Sequence, residues 1–369
     1  MKNIEKFFPL LETCNEESNP KYAGLVNGKA GLFLCIDKLS HVNKSNRLSE
    51  WRNKLLNTLL TTVTSQFSLA NGIAGLCMTF QFSSYKEILS DQLAQLHHVL
   101  REKCNLLIER KEYDYFNGAS GILFYLILYS NDRIECLLKK YCGTLSNDIQ
   151  NHAFRSRIYD EKKTIIGTNI GTAHGLTGYL LVLLAAWEQG YKDIVSSTVG
   201  KLAEFLLAHR LKETGFPQFP SFIDIDNNKY QSDIAWCYGD LMSWYAIWKY
   251  ANLDNNVPML EMSYGHLIEI TKRPDIRNNC IILCHGLPSI YLVYRHLYKK
   301  TQDKKFLMYA RIIRQQIIDL LASYPSRVQN DEQFKKEMGS PSLFIGLPGC
   351  LMSLYIDEFD DEWTKVLLL

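Results

Sequence analysis

One decapeptide pattern recurs seven times along the 369 residues. It reads LVNGKAGLFL (Leu25–Leu34), LANGIAGLCM (Leu69–Met78), YFNGASGILF (Tyr115–Phe124), TAHGLTGYLL (Thr172–Leu181), AWCYGDLMSW (Ala235–Trp244), LCHGLPSIYL (Leu283–Leu292) and LFIGLPGCLM (Leu343–Met352). Its first glycine falls at Gly28, Gly72, Gly118, Gly175, Gly239, Gly286 and Gly346, at intervals of 44, 46, 57, 64, 47 and 60 residues. Five copies carry a second glycine three residues on, at Gly31, Gly75, Gly121, Gly178 and Gly349, whereas the fifth has Met242 and the sixth Ser289. Twelve of the 21 glycines thus belong to one device, too many for scattered turns. Self-similarity at tens of residues marks stacked supersecondary units.

Each copy opens a mostly apolar run such as GILFYLILY or GYLLVLLAAW. Their length and Leu/Ala content predict buried helices rather than strands. Glycines at i and i+3 share a helix face and let the helix start approach neighbouring backbone. Between copies lie amphipathic stretches, at Leu48–Phe67, Ile88–Glu109, Ile194–Leu211, Pro258–Lys272 and Lys304–Tyr324, which predict outer helices. The expectation is an all-α chain of seven helical hairpins, one domain over residues 1–369. An open solenoid would need polar end repeats. The first and last copies are as apolar as the rest, so closure into an α/α toroid is expected.

Composition narrows the function classes. The 41 basic and 39 acidic residues leave a net charge of +2, with no basic block to bind nucleic acid or anionic membrane. The first twenty residues, MKNIEKFFPLLETCNEESNP, hold no apolar core of a signal peptide, and the longest apolar run, Tyr179 to Trp187, is half a bilayer span. No membrane crossing is expected, and a cytoplasmic protein is, with any membrane association peripheral and through a complex. The ten cysteines are therefore expected to be reduced, most of them as small core residues.

Polar residues change in register with the repeat. The position before the first glycine is Asn27, Asn71 and Asn117 in the first three copies, a natural capping or turn residue, and becomes His174 in the fourth. The fifth copy places Cys237 two residues before its glycine, the sixth Cys284 and His285 immediately before, and the third Asp114 four before. In a ring of hairpins these residues share one end of the inner barrel. Two thiols and an imidazole are preferred zinc ligands, and three protein ligands leave one tetrahedral position open. Taken singly, each has a plainer reading: a core cysteine, a hydrogen-bonded histidine, an N-cap for Asp114, a pocket wall for Tyr238. The shared offset in consecutive repeats is what core packing does not predict.

With AHG (Ala173–Gly175), WCYG (Trp236–Gly239), CHG (Cys284–Gly286), DYFNGASGI (Asp114–Ile122) and PSLFIGLPG (Pro341–Gly349), the whole chain resembles the lanthionine synthetase C-like family, the LanC cyclases of lanthipeptide biosynthesis. The resemblance implies a seven-hairpin α/α toroid. It implies Zn²⁺ held by Cys237, Cys284 and His285, with His174 and Asp114 as acid/base residues; Tyr238, beside Cys237 in the sequence, reads as a pocket wall or a proton donor. The implied reaction is Michael addition of a cysteine thiol to dehydroalanine or dehydrobutyrine in a dehydrated precursor peptide. That peptide would be the substrate partner, with a dehydratase and a transporter as companions. One departure stands out: Asp233 occupies a position where the family often carries arginine. The 57-residue interval leaves room only for a loop excursion over Cys142–Asn169.

Other function classes compete. A relative of the family would add glutathione or another small thiol to dehydrated residues. A non-catalytic toroid would only bind peptide. A glycosidase built on Asp224, Asp226, Asp233 and Asp240 would leave the cysteines and histidines without a role, and FIDIDNN reads as a solvated turn.

Overall fold

A computed structural model describes residues 4–16, 23–26, 28–130, 133–154, 156–160, 163–211, 217–273, 280–323 and 339–369. Asn27, Tyr324 and part of the Cys142–Asn169 interval lie outside them. Each repeat glycine is followed at once by a helix: α2 (Lys29–Val42), α4 (Ile73–Phe82), α6 (Ala119–Tyr129), α8 (Leu176–Ala186), α10 (Asp240–Leu253), α12 (Leu287–Thr301) and α14 (Leu347–Leu354). All eleven residues of α8 are buried, as are nine of the eleven in α6, so these are core helices on every side.

The helices between them are two-faced. They are α3 (Asn46–Leu60), α5 (Ser90–Glu109), α7 (Glu135–Gln150), α9 (Lys192–Ala208), α11 (Val257–Ile270) and α13 (Lys304–Ala322). In α13 the buried residues are Phe306, Ala310, Ile313, Ile317 and Leu321, one stripe at helical spacing. Burying each such side chain contributes roughly 1.5–3 kcal/mol, which suffices to hold an outer helix whose other face is charged.

The chain divides into two compact units. In one, residues 1–96 with 277–367, the inner helices neighbour one another in the order α4, α2, α14, α12. The N-terminal helix α1 (Phe8–Glu16) packs on α2 and α14. The first and last copies are therefore partners. The Leu343 amide donates to the Leu25 carbonyl at 3.4 Å, and the Ser342 hydroxyl donates to the carbonyl of Val26. Lys38, nearly buried on α2, pairs with Asp360 at 2.5 Å. In the other unit, residues 97–276, the inner order is α6, α8, α10, with α9 packed on α8 and α11 on α10.

Two findings amend the helical expectation. Cys142 to Gln150 is not a loop but the second half of α7. The extra length of the two adjacent long intervals builds a four-stranded antiparallel sheet in the order β1 (Ser156–Asp160), β2 (Lys163–Asn169), β3 (Phe222–Asp224) and β4 (Lys229–Tyr230). The β2–β3 register, Gly167 opposite Asp224 and Asn169 opposite Phe222, joins the segments that lead into the fourth and fifth copies.

The repeat glycines are there for space. The loop entering each inner helix folds back over its first turn. A β-carbon on Gly75 would come within 2.1 Å of the Leu69 carbonyl oxygen. Gly143, on the exposed side of α7, has nothing within 4 Å of the same position. Gly75→Ala is therefore expected to destabilise by about 1–3 kcal/mol or more. Gly143→Ala is expected to stabilise by about 0.5–1 kcal/mol. Denaturant unfolding of the two variants measures both signs.

Candidate metal centre and acid/base pair

The sequence-predicted residues lie in the loops just before inner helices, not within regular helix. In the unit of residues 97–276, Asp114 follows α5. Its Oδ1 accepts the Asn117 amide at 2.8 Å and its Oδ2 meets His174 Nδ1 at 2.7 Å. Asp114 does not cap the following helix, whose N-cap is Gly118; one carboxylate oxygen instead closes a turn on the Asn117 amide and the other meets the His174 ring. A carboxylate only accepts, so in this bond Nδ1 carries the proton, and Nε2 is the ring nitrogen that Asp114 does not engage.

The imidazole stands edge-on to Phe116, with ring centroids 5.7 Å apart, and beside Tyr238 at 6.4 Å. The Tyr179 hydroxyl donates to the His174 carbonyl at 3.2 Å. Burial alone would push the His174 pKa down. The hydrogen bond and charge of Asp114, aided by Cys237, outweigh it, and the pKa ends above the ordinary 6.5.

The pair opens onto a cavity of about 1080 Å³. Arg110, Lys111, Tyr113, Phe154, Tyr179 and Tyr238 are among its lining residues. Lys111 is held at 2.5 Å by Asp148, which is buried and also accepts the Tyr113 hydroxyl. Sequence reasoning did not single out Arg110, Lys111 or Tyr113, although they directly precede Asp114. Asp233 is exposed and does not line this cavity.

Cys237 is buried, in a loop held from both sides. Its carbonyl accepts the Thr172 amide at 2.9 Å, two residues before His174. Gly171 allows that approach, since a β-carbon there would lie 2.4 Å from the Cys237 oxygen and 2.6 Å from the Tyr238 ring. Gly239 adopts φ +133°, a left-handed conformation that disfavours side chains, with the Asp233 carbonyl pressed against it.

In the unit containing residues 277–367, Cys284 donates its amide to the Phe344 carbonyl at 2.8 Å, and α12 starts three residues later. Cys284 is half-buried and His285 exposed.

Cys237, Cys284 and His285 each offer one ligand atom, and these atoms all lie within 4.8 Å of one another. They form the one group of three or more such side chains found among the described residues. None of the ten cysteines is in a disulfide. Burial raises the thiols of Cys35, Cys104 and Cys350 well above the usual range, and that of Cys142 to about 11, which makes them poor nucleophiles.

The carboxylates of the glycosidase alternative do not assemble. Asp224 closes the β3–β4 turn by accepting from Asn228, Asp226 is exposed, and Asp240 is buried in an ion pair with Arg273.

The family model for lanthionine synthetase C-like protein matches residues 20–368, and the chain belongs to that family. The nisin biosynthesis protein NisC of Lactococcus lactis subsp. lactis is 23% identical over 421 residues, spanning 100% of this chain and 95% of that one. The solved structure of nisin cyclase superposes with a TM-score of 0.74 at 20% identity, covering 100% and 98% of the two chains. The fold is accordingly the α/α toroid that the repeat predicts. No described helix is long and apolar enough to cross a membrane.

Because Asp114 raises the His174 pKa, the pair stabilises the fold below the unfolded histidine's pKa of about 6.5, and this contribution is lost as pH rises through the higher folded value. Asp114→Asn is expected to lower the His174 pKa and to abolish that dependence. Proton NMR titration of the ring, with melting temperatures across pH 5–9, reads both.

Proposed function

We propose that the protein is a zinc-dependent lanthipeptide cyclase, closing (methyl)lanthionine rings in a dehydrated precursor peptide. The observation that carries this reading is the donor group of Cys237, Cys284 and His285. Two Zn–S bonds of ~2.3 Å at a tetrahedral angle separate their sulfurs by roughly 3.8 Å. A 4.8 Å limit is compatible with such a set. Two thiols and one imidazole also have the right chemistry, and three protein ligands leave the fourth position for substrate. Zinc bound there would turn a substrate thiol, only about a few per cent ionised at pH 7, into a thiolate.

The chain's own residues supply the rest. As the thiolate sulfur bonds to Cβ of the dehydro residue, the C=C electron pair moves to Cα and the carbonyl, and Cα must take up a proton. His174, kept protonated by Asp114, donates it from Nε2. Asp114 fixes the tautomer and stabilises the imidazolium. Tyr238 walls the same cavity and offers a second hydroxyl donor. At about 1080 Å³ the cavity exceeds the ~300–1,000 Å³ of small-ligand pockets, which suits a folded peptide segment. The substrate is made by dehydration of serine and threonine, so a dehydratase is the expected partner, with a transporter downstream. We place this work in the cytoplasm.

The wild-type protein is expected to hold one zinc per chain by elemental analysis, and Cys284→Ala to lose it. His174→Ala should keep the metal while ring closure slows by about 10²-fold or more. Alkylation of residual product thiols, read by mass spectrometry, separates ring closure from addition of glutathione. A wild-type protein that purifies without metal and cyclises undiminished in strong chelator would sink the proposal.

A further inference from the structure

Asp240, the first residue of α10, is fully buried and does no acid/base work in the reaction above. Its carboxylate accepts the amides of Gln218 and Phe219 at 2.8–2.9 Å and the Arg273 guanidinium at 3.2 Å. The Arg273 side chain is itself only 7% exposed. A buried carboxylate is costly unless a cation and donors surround it, and a charged acceptor holds its amides more tightly than a neutral one. Gln218 is fixed a second time by α10, since its Oε1 accepts the Trp244 indole at 3.0 Å.

These bonds close a circuit. From Phe219 the chain runs to Ser221, whose carbonyl accepts the Ile170 amide at 3.0 Å. Two residues on, Thr172 donates to the Cys237 carbonyl at 2.9 Å, and three residues from Cys237 the chain returns to Asp240. His174 hangs from the same arc, two residues past Thr172. The positions of Cys237 and His174 are therefore set by one closed loop of covalent and hydrogen bonds, and its only full charge pair on this path is Asp240 with Arg273.

We propose that Asp240, locked by Arg273, is a positioning residue that fixes the Cys237 sulfur relative to His174. The role assigned to Cys237 rests on the cyclase reading; the placement itself does not. Loosening the pair should let the Cys237 loop open, which a thiol probe detects in metal-free protein.

The experiment compares iodoacetamide labelling of Cys237, quantified by peptide mass spectrometry after metal removal, in wild type, Arg273→Met, Arg273→Lys and Lys38→Met. Lys38→Met breaks an ion pair whose lysine is nearly buried and whose Asp360 is exposed, and serves as a stability control, compared at equal loss of melting temperature. Arg273→Met is expected to label Cys237 about tenfold faster or more, Arg273→Lys to restore most of the protection, and Lys38→Met to leave the rate unchanged. Should Arg273→Met fail to fold, Asp240→Asn/Arg273→Met removes both charges yet keeps an acceptor, with the same expectation. Metal readout follows with Co²⁺: the variants that open the loop should bind it 10–100-fold more weakly, with altered thiolate-to-cobalt absorption. Equal labelling of Cys237 in wild type and Arg273→Met, or an equal rise in Lys38→Met, overturns the proposal. A wild type that takes up neither Zn²⁺ nor Co²⁺ defeats the zinc reading instead, and the labelling result still decides this one.

Discussion

A helix that starts underneath the carbonyl of its own incoming loop has no room for a β-carbon, and among the described residues Gly72, Gly118, Gly175, Gly239, Gly286 and Gly346 all stand at such starts. The close approach of the Leu69 oxygen to Gly75, repeated by Thr172 on Gly178 and Leu343 on Gly349, turns each loop sharply into a buried helix. It also fixes where the residues just before each glycine must lie. In three copies that place holds asparagine, and in the last Ile345. In the other three it holds the candidate residues, and the same backbone geometry that packs the core sets Cys237, Cys284, His285 and His174 at loop–helix junctions.

The contrast among the thiols follows from the same geometry. Cysteines inside the inner helices, such as Cys35 and Cys350, are sealed in hydrocarbon and pushed toward the neutral thiol. Cys237 and Cys284 have identical side chains but stand at loop–helix junctions. Position along a hairpin, rather than residue type, separates an inert core filler from a candidate donor. The His174–Asp114 pair is subject to an analogous competition, in which burial pulls the His174 pKa down and Asp114 pulls it up and wins.

Much of this was legible in the sequence because the glycine repeat supplies a ruler. The seven inner helices and the toroid follow from it, and the offsets to it single out Cys237, Cys284 and His285 as candidate metal donors. What the ruler does not measure was hidden. The sheet was missed because β3 and β4 are three and two residues long, and β2 finds its partner more than fifty residues away. Asp114 read equally as a helix cap, yet the helix is capped at Gly118 and its carboxylate is shared between a turn amide and the His174 ring, a contact across 60 residues that no local pattern announces. Asp240 looked like one member of an acidic scatter because its partners, at 218, 219 and 273, share no pattern with it. Cavity-wall residues Arg110 and Lys111 carry no signature beyond their nearness to Asp114.

The pairing of α2 with α14 carries a temporal consequence. The unit of residues 97–276 is continuous in the chain, so each of its inner helices can meet its neighbours soon after leaving the ribosome. The other unit cannot complete itself in that order, because α2 emerges some three hundred residues before the α14 surface that covers it. During synthesis that early apolar face waits bare, and contacts of such long sequence separation are slow to form. The ion pairs of Lys38 with Asp360 and of Arg295 with Asp357 and Asp361 join residues made well apart in time, and so act as a clasp drawn shut only once the later ones have emerged.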